Sequence, residues 1–278
     1  MSDEILDESE FDVIDVTPKP NFKRRWRLSI LLAVVLIAVL SLPGLIGIYV
    51  DTLWFGSLGF SQVYWYQFNL TLILFFVFAI STFLILRGAF WLLQRGFGSF
   101  AIAPRKIVIN HKQTVVLDPT PFLKPVVWLV SIIFALLYGF SFSGEWATFA
   151  IFLNQHTVSV TDPIFNNSIS FYLFSFPVYE LLSGWLTKLS IIIFAAAAGY
   201  SVLTFIQKDE AGRKARYKAI SIALAFLTST IAWGFYLDRY SYLWGDHQTV
   251  TGVTYTEFHY ILPGLFILFI TLLISSVI

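Results

Sequence analysis

The chain has 278 residues, 57% of them hydrophobic and 13% charged, with a mean hydropathy of +0.75; a soluble domain carries roughly a quarter charged residues, so water is not the main solvent of this fold. Eighteen basic against seventeen acidic residues leave a net charge of +1, so no global field marks a nucleic-acid partner. Cysteine is absent, which excludes disulfides, thiolate metal sites, cysteine nucleophiles and iron–sulfur clusters.

Residues 1–20 are acidic (Asp3, Glu4, Asp7, Glu8, Glu10, Asp12, Asp15) and end on two prolines. They bury too little apolar surface to order themselves and read as a flexible cytoplasmic tail. Lys23, Arg24, Arg25 and Arg27 then precede an apolar run from Leu28 to Val50. At about 1.5 Å per residue this run crosses a hydrocarbon core of about 30 Å. It is too long for a signal peptide, and no small-residue cleavage site follows it. Pro43 and Gly44 inside it are tolerated in a membrane helix and suggest a kink. Asp51 to Tyr66 holds Leu53, Trp54, Phe55, Leu58 and Phe60 around Gly56 and Gly59. That segment is too apolar for a free loop and too short to span, so it is expected in the interface.

Further spans are expected at 68–93, 125–142, 181–206, 219–237 and 261–278, which makes an all-α integral membrane protein of about six helices over residues 21–278. Between the second and third spans, Lys106-Ile-Val-Ile-Asn and Thr114-Val-Val-Leu suggest a small cytoplasmic hairpin. Glu145 to Glu180 carries Ile164, Phe165, Ile169, Phe171, Tyr172, Phe174 and Phe176 without a basic residue, and should fold against the bilayer surface or the helix ends. The chain stops at Ser275-Ser-Val-Ile within an apolar run, which suggests a fragment.

Basic residues in short connections concentrate on the cytoplasmic side. Sixteen of the eighteen fall before the first span, from Arg87 near the end of the second span to Lys124, or between the fourth and fifth. Only Lys188 and Arg239 are left for the membrane and the opposite side. This places the amino terminus in the cytoplasm and the chain in the plasma membrane. The tryptophans agree: Trp26, Trp91 and Trp128 lie near the expected cytoplasmic ends, and Trp54, Trp65, Trp146 and Trp244 near the outer ones.

Four stretches on the expected outer face carry a resemblance: Asp51-Thr-Leu-Trp-Phe-Gly-Ser-Leu-Gly-Phe60; Thr161-Asp-Pro-Ile-Phe with Ile169-Ser-Phe-Tyr-Leu-Phe-Ser-Phe-Pro177; Leu237-Asp-Arg-Tyr240; and Tyr255-Thr-Glu-Phe-His-Tyr-Ile-Leu-Pro263. In these, in order, the chain resembles the uncharacterised protein family 0182 of bacterial membrane proteins. The resemblance implies the membrane portion of a larger protein that continues through a seventh span into an extracytoplasmic domain. It implies no activity.

Seven residues stand out as functional candidates. Lys188, about two turns into the fourth span, either extends its stem to the interface or pairs with Glu180 in a pathway. Asp238 and Arg239 end the fifth span; an interfacial ion pair with Asp51, Asp162 or Glu257 competes with a headgroup or anionic-substrate contact. Asp162 before Pro163 most simply starts a turn. Glu257 with His259, and Asp246 with His247, lack ligand spacing, since the four histidines, His111 and His156 included, are scattered. No catalytic residue, metal or cofactor is expected, because neither a paired acid and base nor a nucleophile with its activating partner is found. The expected partners are the lipid bilayer and an envelope protein or extracytoplasmic domain, with no nucleic acid. Distinctive motifs on the expected outer face and spans without polar machinery favour a structural or interaction module positioning extracytoplasmic elements. The alternative is a transporter or lipid-handling protein with an outward-facing groove lined by Lys188, Glu180 and Arg239.

Overall fold

The computed structural model describes residues 22–96, 105–109, 113–117, 120–156, 158–204, 210–245 and 252–277. The acidic tail, His111, Asp246 and His247 lie outside the described residues. The chain divides into an amino-terminal unit, 1–64, and a larger unit, 65–278.

In the first unit, α1 (Phe22–Ser57) runs unbroken through Pro43. It stops because Gly59 takes the left-handed conformation, φ +76°, which glycine reaches without a Cβ penalty. Phe60 N–H then donates to Phe55 O at 2.9 Å and Gly59 N–H to Gly56 O at 3.1 Å, the paired bonds of a glycine C-cap. The Phe55 ring stacks on Tyr64 with 5.3 Å between centroids. The segment expected in the interface, Asp51 to Tyr66, is largely helical: α1 continues to Ser57 and α2 (Ser61–Gly96) begins after a short turn. The aromatic residues there satisfy their backbone within the helices, which a flat surface-lying loop could not do in lipid.

The second unit holds the remainder of α2, then β1 (Arg105–Ile109) and β2 (Gln113–Leu117), paired antiparallel with Ile107 opposite Val115. The expected hairpin is present, a small exception to the all-α class. There follow α3 (Thr120–Gly144), α4 (Trp146–Leu153), α5 (Phe176–Thr204), α6 (Glu210–Ser241) and α7 (Leu262–Val277). Among the described residues, six helical segments are long and apolar enough to cross a membrane: Ala38–Ser57, Ser61–Leu93, Pro125–Gly144, Phe171–Val202, Tyr217–Trp244 and Glu257–Val277.

The fourth and sixth segments begin earlier than their hydropathy suggests, and for the same reason. Each is entered through one wide π turn, Phe171–Ser175 and Glu257–Ile261, and each turn is followed by a proline, Pro177 and Pro263. Phe176 N–H reaches back to Phe171 O, and Leu262 N–H to Glu257 O. A proline ring crowds the carbonyl four residues before it. The widened turn just ahead gives that ring space, so the aromatic run remains helical.

Within the second unit the helices alternate in direction, as close pairs show. Phe75 meets Phe140 and Phe83 meets Trp128 between α2 and α3. Ser183 faces Gly234, and Ser190 faces Thr230, between α5 and α6. Tyr236 meets Phe269 between α6 and α7. The core is aromatic: Phe78 lies flat on Phe142 at 3.6 Å, with Phe149 and Trp185 at its edges. Lipid tails are as apolar as these side chains, so close approach and interhelical hydrogen bonds must hold the helices together. A Cβ on Gly139 would lie 3.0 Å from Ala79 Cβ and from the Phe75 ring. Trp185 Nε1–H donates to Thr82 Oγ1 at 3.1 Å, and Ser190 and Thr230 hydroxyls share a 2.8 Å bond.

Candidate functional site

The most constrained polar arrangement lies where the amino ends of α5 and α7 meet the carboxyl end of α6, here termed the aromatic end. After α4 the chain turns back on itself: Asp162 N–H bonds Asn167 O at 2.9 Å and Ile169 N–H bonds Val160 O at 3.0 Å. Asn166 sits at φ 58°, a conformation asparagine tolerates better than most residues. Asp162 is 8% exposed and accepts four hydrogen bonds. Its Oδ1 takes Ile164 N–H at 2.8 Å and Phe165 N–H at 2.6 Å; its Oδ2 takes Asn167 N–H at 2.9 Å and the Tyr172 hydroxyl at 2.6 Å. Burial pushes the carboxyl up, but the donors from Phe165, Tyr172, Asn167 and Ile164 outweigh it and hold Asp162 below the usual aspartate range. A carboxylate so occupied has little capacity left for a ligand. The loop is fastened further by Val158 N–H to Ser170 Oγ at 2.7 Å and by Ser175 Oγ–H to Gln155 Oε1 at 2.9 Å.

The loop delivers Phe165 onto Tyr240 of α6 at 4.9 Å. Tyr240 is a hub, with Phe171, Tyr172, Phe176 and Tyr236 around it within 5.3 to 6.1 Å. Its hydroxyl donates to Tyr236 Oη at 3.0 Å, and Trp244 closes over Phe176 at 5.2 Å. Beside the hub, the Arg239 guanidinium lies over three rings: Phe266 at 4.7 Å, Phe165 at 5.2 Å and Tyr236 at 5.7 Å. Its Nε is buried with no hydrogen-bond partner among the described residues. The ring faces supply the negative potential that a carboxylate would otherwise provide.

Two of the carboxylates expected to pair with Arg239, Asp162 and Glu257, are turned elsewhere. Asp162 is filled by its own loop, and Asp51 belongs to the amino-terminal unit. Glu257 is 7% exposed, and its Oε2 accepts Thr254 N–H at 2.7 Å and Thr254 Oγ1–H at 2.9 Å. Glu257 N–H returns a bond to Thr254 Oγ1 at 3.3 Å. This reciprocal pair caps the helix that becomes α7, and Thr-x-x-Glu is the sequence signal that would have found it. His259 is exposed, with Nδ1 3.0 Å from Tyr255 O and its ring over Tyr255 at 4.0 Å; it does not join Glu257. Asp238 is exposed on the turn of α6 before Arg239.

Lys188 and Glu180 are both exposed on α5, about two turns apart. Lys188 sits between Thr187 and Leu189, and Leu189 is fully buried, so the ammonium points away from the core. A cavity of 590 Å³ between α2, α5 and α6 is lined by none of the seven candidates. Arg87, like Arg239, lies over a ring, that of Trp128 at 4.5 Å. Of the ring partners of Arg239, Tyr236 lies one turn earlier on the same helix, whereas Phe165 and Phe266 come from other segments and could not be read from the sequence.

Six apolar helices among the described residues, an aromatic core and a polar loop whose bonds are spent on itself define a helical membrane protein. The chain belongs to the uncharacterised protein family UPF0182, which it matches over residues 28–278. It is 32% identical over 257 residues to a UPF0182 protein of Bradyrhizobium diazoefficiens, covering 86% of this chain and 27% of that one. It is 29% identical over 259 residues to one of Cupriavidus necator, covering 90% and 28%. For one of Rhodococcus erythropolis the identity is 30% over 259 residues, covering 90% and 26%. The chain thus spans about a quarter of the length of these curated relatives. No solved structure matches it.

Proposed function

We propose that this chain is the membrane portion of an envelope-associated structural module, held in the plasma membrane with its amino terminus in the cytoplasm and its aromatic end outward. In this reading the aromatic end is a rigid platform that anchors or positions extracytoplasmic elements. The observation that carries it is the Asp162 loop: four hydrogen bonds to one buried carboxylate lock a surface segment that presents Phe165 to Tyr240 and Arg239. Such locking costs chain entropy and favours a fixed surface over a moving gate. The helix-joining polar groups Thr82, Trp185, Ser190 and Thr230 are neutral and bonded to each other, which supports a structural interior. The outward-facing groove of the transport alternative finds no support in Lys188 and Glu180, both exposed.

A photo-crosslinking amino acid is placed in cells at Val160 or Tyr255, both exposed at the aromatic end, and at Ile222 near the other end as control. Polypeptide adducts outside the cytoplasm from the first two positions and none from Ile222 are expected. Lipid adducts alone from all three positions, with an intact envelope after loss of the gene, would overturn the reading.

A further inference from the structure

The opposite, basic end of the second unit holds the 590 Å³ cavity, an open groove between α2, α5 and α6. Its walls are Leu84, Ile85, Ala89 and Leu93 of α2 facing Ala219 and Phe226 of α6, with Ile193 of α5 behind and Lys218 the one charged lining residue. From Leu84 to Leu93, and from Phe226 back to Lys218, the helices advance about 12 to 14 Å at about 1.5 Å per residue. That is close to one leaflet of a hydrocarbon core about 30 Å thick. Lys218 stands at the end of the groove marked by Leu92 and Leu93, where α2 and α6 leave their apolar stretches. It is exposed, and it closes the basic run Lys208, Arg213, Lys214, Arg216 and Lys218 of the sequence. Gly88 opens the wall at mid-depth, since a Cβ there would meet nothing within 4 Å.

We propose that this groove binds one acyl chain of a glycerophospholipid with an anionic headgroup, the chain lying along Leu84 to Leu93 and the phosphate meeting Lys218. Leaflet-length apolar walls ending on a cation match such a lipid in both shape and charge. Anionic lipid near a membrane-surface lysine gains about fivefold in occupancy over a zwitterionic one.

The test uses the full chain reconstituted in phosphatidylethanolamine vesicles containing phosphatidylglycerol, either lipid carrying a photoreactive acyl chain. Labelling is expected to concentrate on the peptides containing Leu84–Leu93 and Ile222–Phe226, with phosphatidylglycerol favoured about fivefold. Lys218→Gln should lower that preference while leaving total labelling of the groove. Gly88→Leu should cut groove labelling by both lipids, with helix content unchanged. An unchanged preference in Lys218→Gln, labelling spread evenly over all lipid-facing helices, or a polypeptide adduct in place of lipid would overturn the proposal. Lys218→Gln alone decides the charge argument if Gly88→Leu does not fold. Because the groove and the aromatic platform lie at opposite ends, either proposal can fail without the other.

Discussion

Tyr172 donates its hydroxyl to Asp162 Oδ2 at 2.6 Å, and this bond ties the loop after α4 to the first helical turn of the fourth membrane segment. Three backbone N–H groups of the loop complete the carboxylate's shell. Removing the carboxylate leaves those donors without their acceptor, whereas removing the hydroxyl costs a single charge-assisted bond. Asp162→Ala should therefore destabilise the protein by about 3 kcal/mol or more, and Tyr172→Phe by about 1.5 kcal/mol. Thermal unfolding in a mild detergent measures both, and equal effects would argue against the four-donor arrangement.

The same carboxylate sets a pH dependence. Asp162 titrates below its unfolded value because hydrogen bonds favour the ionised form. Its contribution is fully present above an unfolded value of about 4 and is lost as pH falls through the lower folded value. The stability gap between the native chain and Asp162→Ala should be constant from neutral pH down to about pH 5 and shrink below about pH 4. A gap that widened on acidification would contradict the assignment.

Arg239 is held by rings, so its contribution should couple to ring identity. A double-mutant cycle of Arg239→Ala with Phe266→Leu, read by unfolding free energy, should show a coupling of about 0.5–2 kcal/mol. Arg239→Lys should recover only part of the loss, because an ammonium keeps the charge without the plane that lies on the rings.

Gly139 sets the distance between α2 and α3. Gly139→Val would drive methyl groups into Ala79 and Phe75, already 3.0 Å from a Cβ at that position, and should cost about 2 kcal/mol or more. Gly184→Ala is the control, since a Cβ there meets nothing within 4 Å. It should be neutral or stabilising by up to about 1 kcal/mol.

The hydrophobic segments and the hairpin were legible in the sequence because hydropathy and β-propensity are local quantities, summed over a stretch of chain. The loop at Asp162 was legible as a turn for a related reason: its donors lie two, three, five and ten residues ahead of the carboxylate. Thr254 and Glu257 are equally local, and a Thr-x-x-Glu spacing identifies their cap. The early starts of the fourth and sixth segments were not legible, because a hydropathy window does not register the π turn that lets a helix run on into a proline.

By itself the sequence determined the solvent, the number of apolar helices and the asymmetric distribution of basic residues, all of which follow from side-chain transfer energies that add residue by residue. Tertiary structure decided the distant partners of the cations. Arg239 lies on Phe165, Tyr236 and Phe266, and Lys218 stands at the mouth of a groove walled by α2 and α6. Tyr236 lies one turn before Arg239 on α6, but Phe165, Phe266 and the α2 wall are separated from these cations by tens of residues along the chain, and only helix packing brings them within a few ångströms, where short-range electrostatics and dispersion select one arrangement among those that composition allows.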